Sequence, residues 1–279
     1  MTARPSESQT IRIEPLQGWE PLKLDDIWKY RELLYYLIWR DLKVSYARTQ
    51  LGIGWAILRP VLTMAMFTFI FGWLTQVPSD GIPYPLFVYS ALLPWQLFAR
   101  IVAGAGSSMI ANENLLTKVY FPRLIAPLSI TVTGVVDFVI GFAVLLGMMW
   151  YYQSPLTTAV WVLPGLVIVT LAAGLGVGLW IAALNVWCRD IGHAQPFLTQ
   201  LWLFATPVIY PASLVPEGWR TWYALNPMVG VVEGFRKALL TTESQSDFMI
   251  VPSVMVAGLV LVSGLYFFRR TEQTIADAV

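Results

Sequence analysis

Apolar residues gather along the chain into long blocks separated by short clusters of charge and polarity. The blocks lie at about 56–76, 84–105, 124–150, 161–187, 195–211 and 249–268. Each comes near or passes the roughly 20 apolar residues that a helix needs to cross hydrocarbon. The pattern therefore predicts six membrane-spanning helices. Between Asp137 and Arg189 there is no Asp, Glu, Lys or Arg, a run long enough for two of them. Pro60, Pro94, Pro127, Pro164, Gly174, Gly178 and Pro207 punctuate the blocks. Membrane helices tolerate such residues because neighbouring groups re-satisfy the backbone.

Two further segments are neither spans nor ordinary loops. Residues 27–50, IWKYRELLYYLIWRDLKVSYARTQ, set Leu34, Ile38 and Leu42 on one helical face and Glu32, Arg40 and Lys43 on another. With its tyrosines and tryptophans the segment predicts an amphipathic helix lying in the membrane interface. Residues 212–247 contain MVGVVEGFRKALL, apolar but short, preceded by Pro227 and carrying Glu233, Arg236 and Lys237. That combination predicts a re-entrant or interfacial hairpin between spans five and six.

Composition agrees with a bilayer as solvent. The 279 residues are 57% hydrophobic and 13% charged, with a mean hydropathy of +0.61, against about 25% charged in a soluble domain. The expected fold is all-α and integral to the membrane. Its parts are a cytoplasmic segment at 1–26, the interfacial helix at 27–50, a six-span domain at 56–268 and a cytoplasmic tail at 269–279. The first 25 residues are polar and lack the apolar stretch of a cleavable signal, so none is expected there. The single Cys188 excludes an internal disulfide. With the N-terminus inside, fifteen of the eighteen Lys and Arg residues fall on the cytoplasmic side; Arg220, Arg236 and Lys237 fall outside. The positive-inside tendency thus predicts both termini in the cytoplasm. NENLLTKVYFPRL, residues 112–124, becomes a cytoplasmic loop.

No constellation for catalysis or metal binding stands out. The only histidine, His193, has Asp190 nearby in CRDIGH, and no HExxH, DxD or GxSxG pattern occurs. Nothing in the charge pattern points to nucleic acid. Asp137 lies near mid-depth in the third predicted span and stands almost alone there, with Thr131, Thr133 or an aqueous cavity as its expected company. No GxxxxGK[ST] is present, so the P-loop route to ATP hydrolysis is closed to this chain. Six spans without energy-coupling chemistry imply one subunit of a larger assembly. The small residues of AAGLGVG at 172–178 allow close approach of helices, within a subunit or between two.

Five stretches carry a resemblance when taken together and in order. They are RTQLGIGWAILRP (48–60), LLPWQLFARIVAGAGSSMIANENLLTKVYFPRLIAPL (92–128), CRDI (188–191), TPVIYP (206–211) and LNPMVGVVEGFR (225–236). From about residue 20 to 270 the chain resembles the membrane subunits of ABC-2 type exporters of bacterial cell-surface polysaccharides, meaning O-antigen, teichoic acid and some capsules.

The resemblance implies a multi-pass subunit of the bacterial inner membrane. It pairs with a second copy of itself and two cytosolic ATPase chains that bind ATP and Mg, and it moves a lipid-linked glycan. It also implies an ATPase-coupling helix at Asn112, Glu113, Leu116, Lys118, Tyr120, Phe121, Pro122 and Arg123. Leu115, Leu116, Val119, Tyr120 and Phe121 would form its apolar knob, and charges at the rim would set register.

The same resemblance makes 27–50 a gate helix flanking a lateral entrance for the lipid-linked substrate, with Tyr30, Arg31, Trp39, Arg40 and Lys43 as its residues and its Lys and Arg meeting the pyrophosphate or anionic headgroups. It makes Trp219, Trp222, Tyr223, Asn226 and Pro227 an outer gate. Phe67, Phe71, Trp73, Trp202, Phe204 and Tyr210 become candidate pore-lining aromatics, since sugar C–H faces pack on aromatic rings; the same residues also suit interfacial belts. The alternatives are an ABC-2 exporter of a drug or lipid, and a membrane-bound glycosyl- or acyltransferase.

Overall fold

The structure is a computed structural model that describes residues 24–47, 50–116, 118, 121–155, 157–240 and 247–278. The predicted cytoplasmic segment up to residue 23, together with Val119 and Tyr120 of the predicted coupling loop, lies outside the described residues. Among those described, every regular element is helical. Helices α1 (Leu24–Lys29) and α2 (Arg31–Ala47) precede α3 (Gly54–Phe67), which runs on as a π-helix, Thr68–Leu74. Then come α4 (Tyr84–Ala111), the single turn α5 (Glu113–Leu116) and α6 (Ile125–Tyr151). A 3-10 turn, Thr158–Val162, leads into α7 (Leu163–Trp187), followed by α8 (Asp190–Phe204). After a second 3-10 turn, Ala212–Leu214, come α9 (Glu217–Tyr223), α10 (Pro227–Leu240) and α11 (Asp247–Ala278).

Five helical stretches are long and apolar enough to cross a membrane: Gly54–Leu74, Tyr84–Ala111, Ile125–Tyr151, Thr158–Trp187 and Phe248–Thr271. They correspond to five of the six predicted spans. The predicted fifth, 195–211, is different. Its helix α8 begins earlier, at Asp190, and stops at Phe204, and residues 205–211 turn without helix. Pro207 supplies the reason, because it has no N–H to donate and disfavours helical backbone in the residue before it. The interfacial segment also departs from prediction. It is broken at Tyr30, whose carbonyl still accepts the Leu34 N–H at 3.1 Å, and α2 ends at Ala47.

Helix α4 forms the centre, packed on α7 and α6, while α7 also holds α11. Residues 84–111 are mostly buried inside the chain, whereas α3 is largely peripheral. Small residues set the spacing. A Cβ at Gly178 would lie 2.6 Å from Ala105 Cβ, and one at Gly176 would lie 2.7 Å from the Leu261 backbone. The AAGLGVG stretch therefore packs α7 onto α4 and α11 within this one chain, as small residues do in membranes, where backbone approach drives association.

Helix α10 is the other departure from an ordinary loop. All of it except Lys237 is buried, against α4, α7, α11 and the turn at Thr158–Val162. Pro227 opens it at the first helical position, where a missing N–H costs nothing, and the Asn226 side chain caps it by accepting the Met228 N–H at 3.0 Å.

These crossings generate a prediction. Gly176→Ala forces α7 off the α11 backbone and lowers the thermal unfolding midpoint of the detergent-solubilised protein, at a cost of about 1–3 kcal/mol. Gly258→Ala, whose Cβ would meet nothing within 4 Å, leaves the midpoint unchanged or raises it, since alanine is favoured over glycine in a helix by about 1 kcal/mol. Equal effects at the two positions would show that the crossing is not set by Gly176.

Candidate functional site

The predicted coupling loop and the predicted gate helix meet. Helix α4 ends at Asn112, which is buried, and the Asn112 Nδ2 donates to the Ser108 carbonyl at 2.9 Å. Its Oδ1 accepts from Arg40 Nη2 of α2 at 2.8 Å. Arg40 also grips Asp41 at 2.8 and 3.0 Å, and Asp41 in turn accepts from Ser129 Oγ of α6 at 3.3 Å. Beside this polar seam, Leu37, Phe121 and Ile125 form a buried apolar cluster, with Tyr30, Leu33, Leu34, Leu115 and Leu116 packed around it.

This packing corrects two expectations. Phe121 is buried against α2 instead of protruding as a docking knob, because α2 offers it an apolar face. Arg40 is turned inward to Asp41 and Asn112 and not out to headgroups. The side chains of the loop that remain exposed include Glu113, Asn114 and Lys118; Pro122 and Arg123 are half-buried ahead of α6. On the opposite face of α2, Trp39 is exposed with Lys43 4.6 Å above its ring, and Arg31 lies 5.3 Å over Trp28. Tyr35 and Tyr36 are exposed there too. Tryptophan, tyrosine and cation together make a surface suited to a membrane interface.

Farther along α2, a cavity of about 390 Å³ opens between the end of α2, the start of α3, and the middles of α4 and α6. Asp137 faces it. Predicted to be almost alone, Asp137 instead forms an ion pair with Arg100 and accepts a hydrogen bond from the Tyr46 hydroxyl. Thr131 and Thr133 donate to carbonyls of their own helix and not to Asp137. Arg59 lines the same cavity, its guanidinium 5.5 Å from the Trp55 ring centre. This is the site that reading the sequence missed. The available signal was two opposite charges, Arg100 and Asp137, inside consecutive predicted spans.

At the other end of the bundle, 208–210 is pinned from two directions. The Tyr84 hydroxyl donates to the Ile209 carbonyl at 2.7 Å, and Arg236 Nη2 donates to the Val208 carbonyl at 2.8 Å. Arg236 is 1% exposed, pairs with Glu233 at 2.9 Å and lies 3.6 Å over the Phe87 ring. Burial holds its guanidinium below the usual arginine range, opposed by the Glu233 carboxylate. The level of this end is fixed by Tyr84, at the start of α4. The start of α8 sits at the other end of α4, where a Cβ at Gly192 would lie 3.0 Å from Asn185 Oδ1 and Asn185 Nδ2 donates to the Gly106 carbonyl at 3.0 Å. Residues 190–209 thus cover the same depth as residues 84–106.

The predicted pore aromatics separate into two sets. Phe67 is buried with its edge toward Phe71 and cannot line a pore, because it packs into the core around α4. Trp202 is held by an edge-to-face contact with Phe98 at 5.0 Å and by its Nε1 donating to Asn226 Oδ1 at 3.0 Å. Tyr210 is tied to the Phe204 carbonyl and to the Tyr223 hydroxyl. Phe204 is exposed, as is Trp73, stacked on Phe69. Of the predicted outer gate, Trp219 and Trp222 are exposed and Tyr223 is half-buried. Asn226 is a structural hub, since it caps α10 and also donates to the Ala205 carbonyl and Thr206 Oγ1; Pro227 is buried beside it.

Comparison with known proteins gives the chain its relatives. Residues 32–240 match a family model described as "ABC-2 type transporter". The chain is 36% identical over 254 residues to a Myxococcus xanthus protein named "O-antigen export system permease protein RfbA", covering 88% of this chain and 96% of that one. A Klebsiella pneumoniae protein of the same name is 26% identical over 248 residues, covering 88% and 94%. An Escherichia coli "Polysialic acid transport protein KpsM" is 21% identical over 240 residues, covering 85% and 92%.

The seam between loop and α2 can be tested directly. In a Cys188→Ser background, a cysteine replacing Leu37 is shielded by Phe121. Adding Phe121→Ala is expected to raise its maleimide labelling rate by at least about a hundredfold, because removing a core phenylalanine costs about 3–5 kcal/mol where it packs. Unchanged labelling would mean that α2 does not rest on Phe121.

Proposed function

Because the chain belongs to the ABC-2 type transporter family, we propose that it is the membrane-spanning subunit of an ATP-driven exporter. The cargo is a lipid-linked polysaccharide of the O-antigen class, carried across the bacterial inner membrane. The names of its relatives supply the substrate class, and their nearly end-to-end match supports the whole-chain assignment. ATP and Mg bind to two partner ATPase chains, and two copies of this subunit enclose the path. Both termini lie in the cytoplasm, in keeping with the cation asymmetry. Helix α8 with residues 205–209 makes the sixth crossing, and α9 and α10 form a hairpin that enters and leaves on the outer side.

One observation carries the mechanism: the described residues of the loop, 112–116 and 121–124, pack with α2 through Phe121 between Leu37 and Ile125 and through Arg40 on Asn112. A push on the loop from an ATPase moves α2 with it, because a close-packed cluster transmits displacement instead of absorbing it. The end of α2 carries Tyr46, bonded to Asp137 in the wall of the cavity. ATP-driven closure of the partners therefore reaches the inner half of the membrane without chemistry in this chain. The exposed Glu113 and Lys118 set the register of the ATPase contact, and the aromatic outer face of α2 meets the headgroups.

Co-expression with the ABC ATPase of the same operon tests the reading. Pull-down through this chain is expected to recover the ATPase with wild type and to lose most of it with Lys118→Glu, an exposed position, in protein that still elutes as a single species. Complementation of a deletion strain should restore surface polysaccharide with wild type only. An ATPase that never co-purifies, or a complemented strain without surface polysaccharide, would remove the exporter reading.

A further inference from the structure

We propose that Glu233 and Arg236 of α10 form a clip that keeps the bundle shut at the end where α4 begins. The clip grips the backbone of 208–212, and transport requires that grip to be released. What the release serves rests on the exporter reading; the grip itself rests on geometry alone.

Residues 205–211 have no helix, yet they lie packed beside the start of α4 and against α10. Backbone of this kind survives within a membrane only where its polar groups are satisfied inside the protein. Side chains do so here. Arg236 Nη2 donates to the Val208 carbonyl at 2.8 Å, and Nη1 donates to the Tyr210 carbonyl at 3.4 Å. Between them, the Tyr84 hydroxyl of α4 donates to the Ile209 carbonyl at 2.7 Å. The Ala212 N–H donates to Glu233 Oε1 at 3.4 Å, and the same oxygen accepts from Arg236 Nη1 at 2.9 Å. Guanidinium on carbonyls and carboxylate on N–H match the polarity of the peptide that they hold.

An ion pair serving stability alone does not need this arrangement. Glu233 and Arg236 are 4% and 1% exposed, and a pair buried so deeply adds little stability over apolar residues of the same size. Only Nη1 of Arg236 reaches the carboxylate. Nη2 goes to the Val208 carbonyl, and the Nε–H makes no hydrogen bond among the described residues. What the pair supplies is a hold on 208–212.

The clip stands on a fixed base and holds a movable part. Helix α10 is buried against α4, α7 and α11, and the Phe87 ring of α4 lies 3.6 Å from the Arg236 guanidinium. The gripped segment continues α8, whose Phe197, Leu198 and Leu201 are exposed. Release lets this end of α8 move while α10 stays in place. A carbonyl that leaves Arg236 needs another donor, and hydrocarbon has none, so the clip opens only as water enters. The closed end is dry, and the open end is wet enough to pass a polar glycan.

The test uses the complex with its ATPase in nanodiscs, in a Cys188→Ser background carrying Val208→Cys. Val208 is fully buried, so a bulky maleimide is expected to label this position slowly without nucleotide. ATP turnover should raise the rate at least about tenfold by populating the open state. Glu233→Met plus Arg236→Met removes both charges together and leaves no buried charge unpaired, so the unfolding midpoint is unchanged or higher. The same double variant should nonetheless label at least about tenfold faster without nucleotide, from loss of the charge-assisted bonds. A pair that served stability alone would not separate the two readouts.

Labelling that does not change in a complex hydrolysing ATP would overturn the proposal. So would shielding equal to wild type in a double variant that elutes as a single species. Should the double variant fail to fold, Arg236→Lys decides, because it keeps the charge beside Glu233 and loses the fork that reaches 208. Labelling of Arg236→Lys at the wild-type rate overturns the clip, and faster labelling supports it. Restored surface polysaccharide with labelling indifferent to ATP and to the variants would sink the clip and keep the exporter. Labelling that follows both ATP and the variants, in a chain that restores no surface polysaccharide, would keep the clip and sink the cargo assignment.

Discussion

Hydrocarbon offers no water to a polar group, so a charge or hydroxyl within the bundle is costly unless it finds a partner in the chain. That constraint organises the structure. Hydroxyls in the spans turn back to their own helices: Ser90 to Phe87, Ser108 to Ala105, Thr131 to Pro127 and Thr170 to Leu166. Charged groups also link segments that lie far apart in the chain. Arg100 and Asp137 tie α4 to α6. Glu233 and Arg236, with Tyr84, hold the non-helical 208–210 stretch against α4 and α10.

Between these ties, contact between helices is set by size. Glycines let α7 approach α4 and α11 closely, which makes those three helices the stiff part of the bundle. Helices α3 and α8 are different. Leu62, Met66 and Phe69 on α3, and Phe197, Leu198 and Leu201 on α8, are exposed and apolar. Such faces suit hydrocarbon or a second copy of the chain.

A stiff centre with an attached lever suits transport without local chemistry. The polar seam of Arg40, Asp41, Asn112 and Ser129 fixes the loop, α2 and α6 in register, while the Leu37, Phe121 and Ile125 cluster supplies the apolar contact. Helix α2 is continuous from Arg31 to Ala47 and so joins this seam to Tyr46 and the charged cavity.

Much of this was legible in the sequence. Hydropathy and helix length fixed the class and placed five spans within six residues of their observed ends, because burying a chain in hydrocarbon is an averaged property of about 20 neighbours. The resemblance carried by NENLLTKVYFPRL and its companion stretches indicated the family. Pro207 carried the signal for the broken fifth span, which a hydropathy average over 195–211 conceals.

The direction of side chains was not legible. That Phe121 faces α2, that Arg40 faces Asn112, and that Asp137 meets Arg100 and Tyr46 depend on pairings across 37 to 91 positions of the chain. A linear pattern reports how apolar a segment is and how its faces alternate. Which face meets which partner is decided only when the helices pack, and here that packing turned a docking knob inward and gave an apparently solitary carboxylate its arginine.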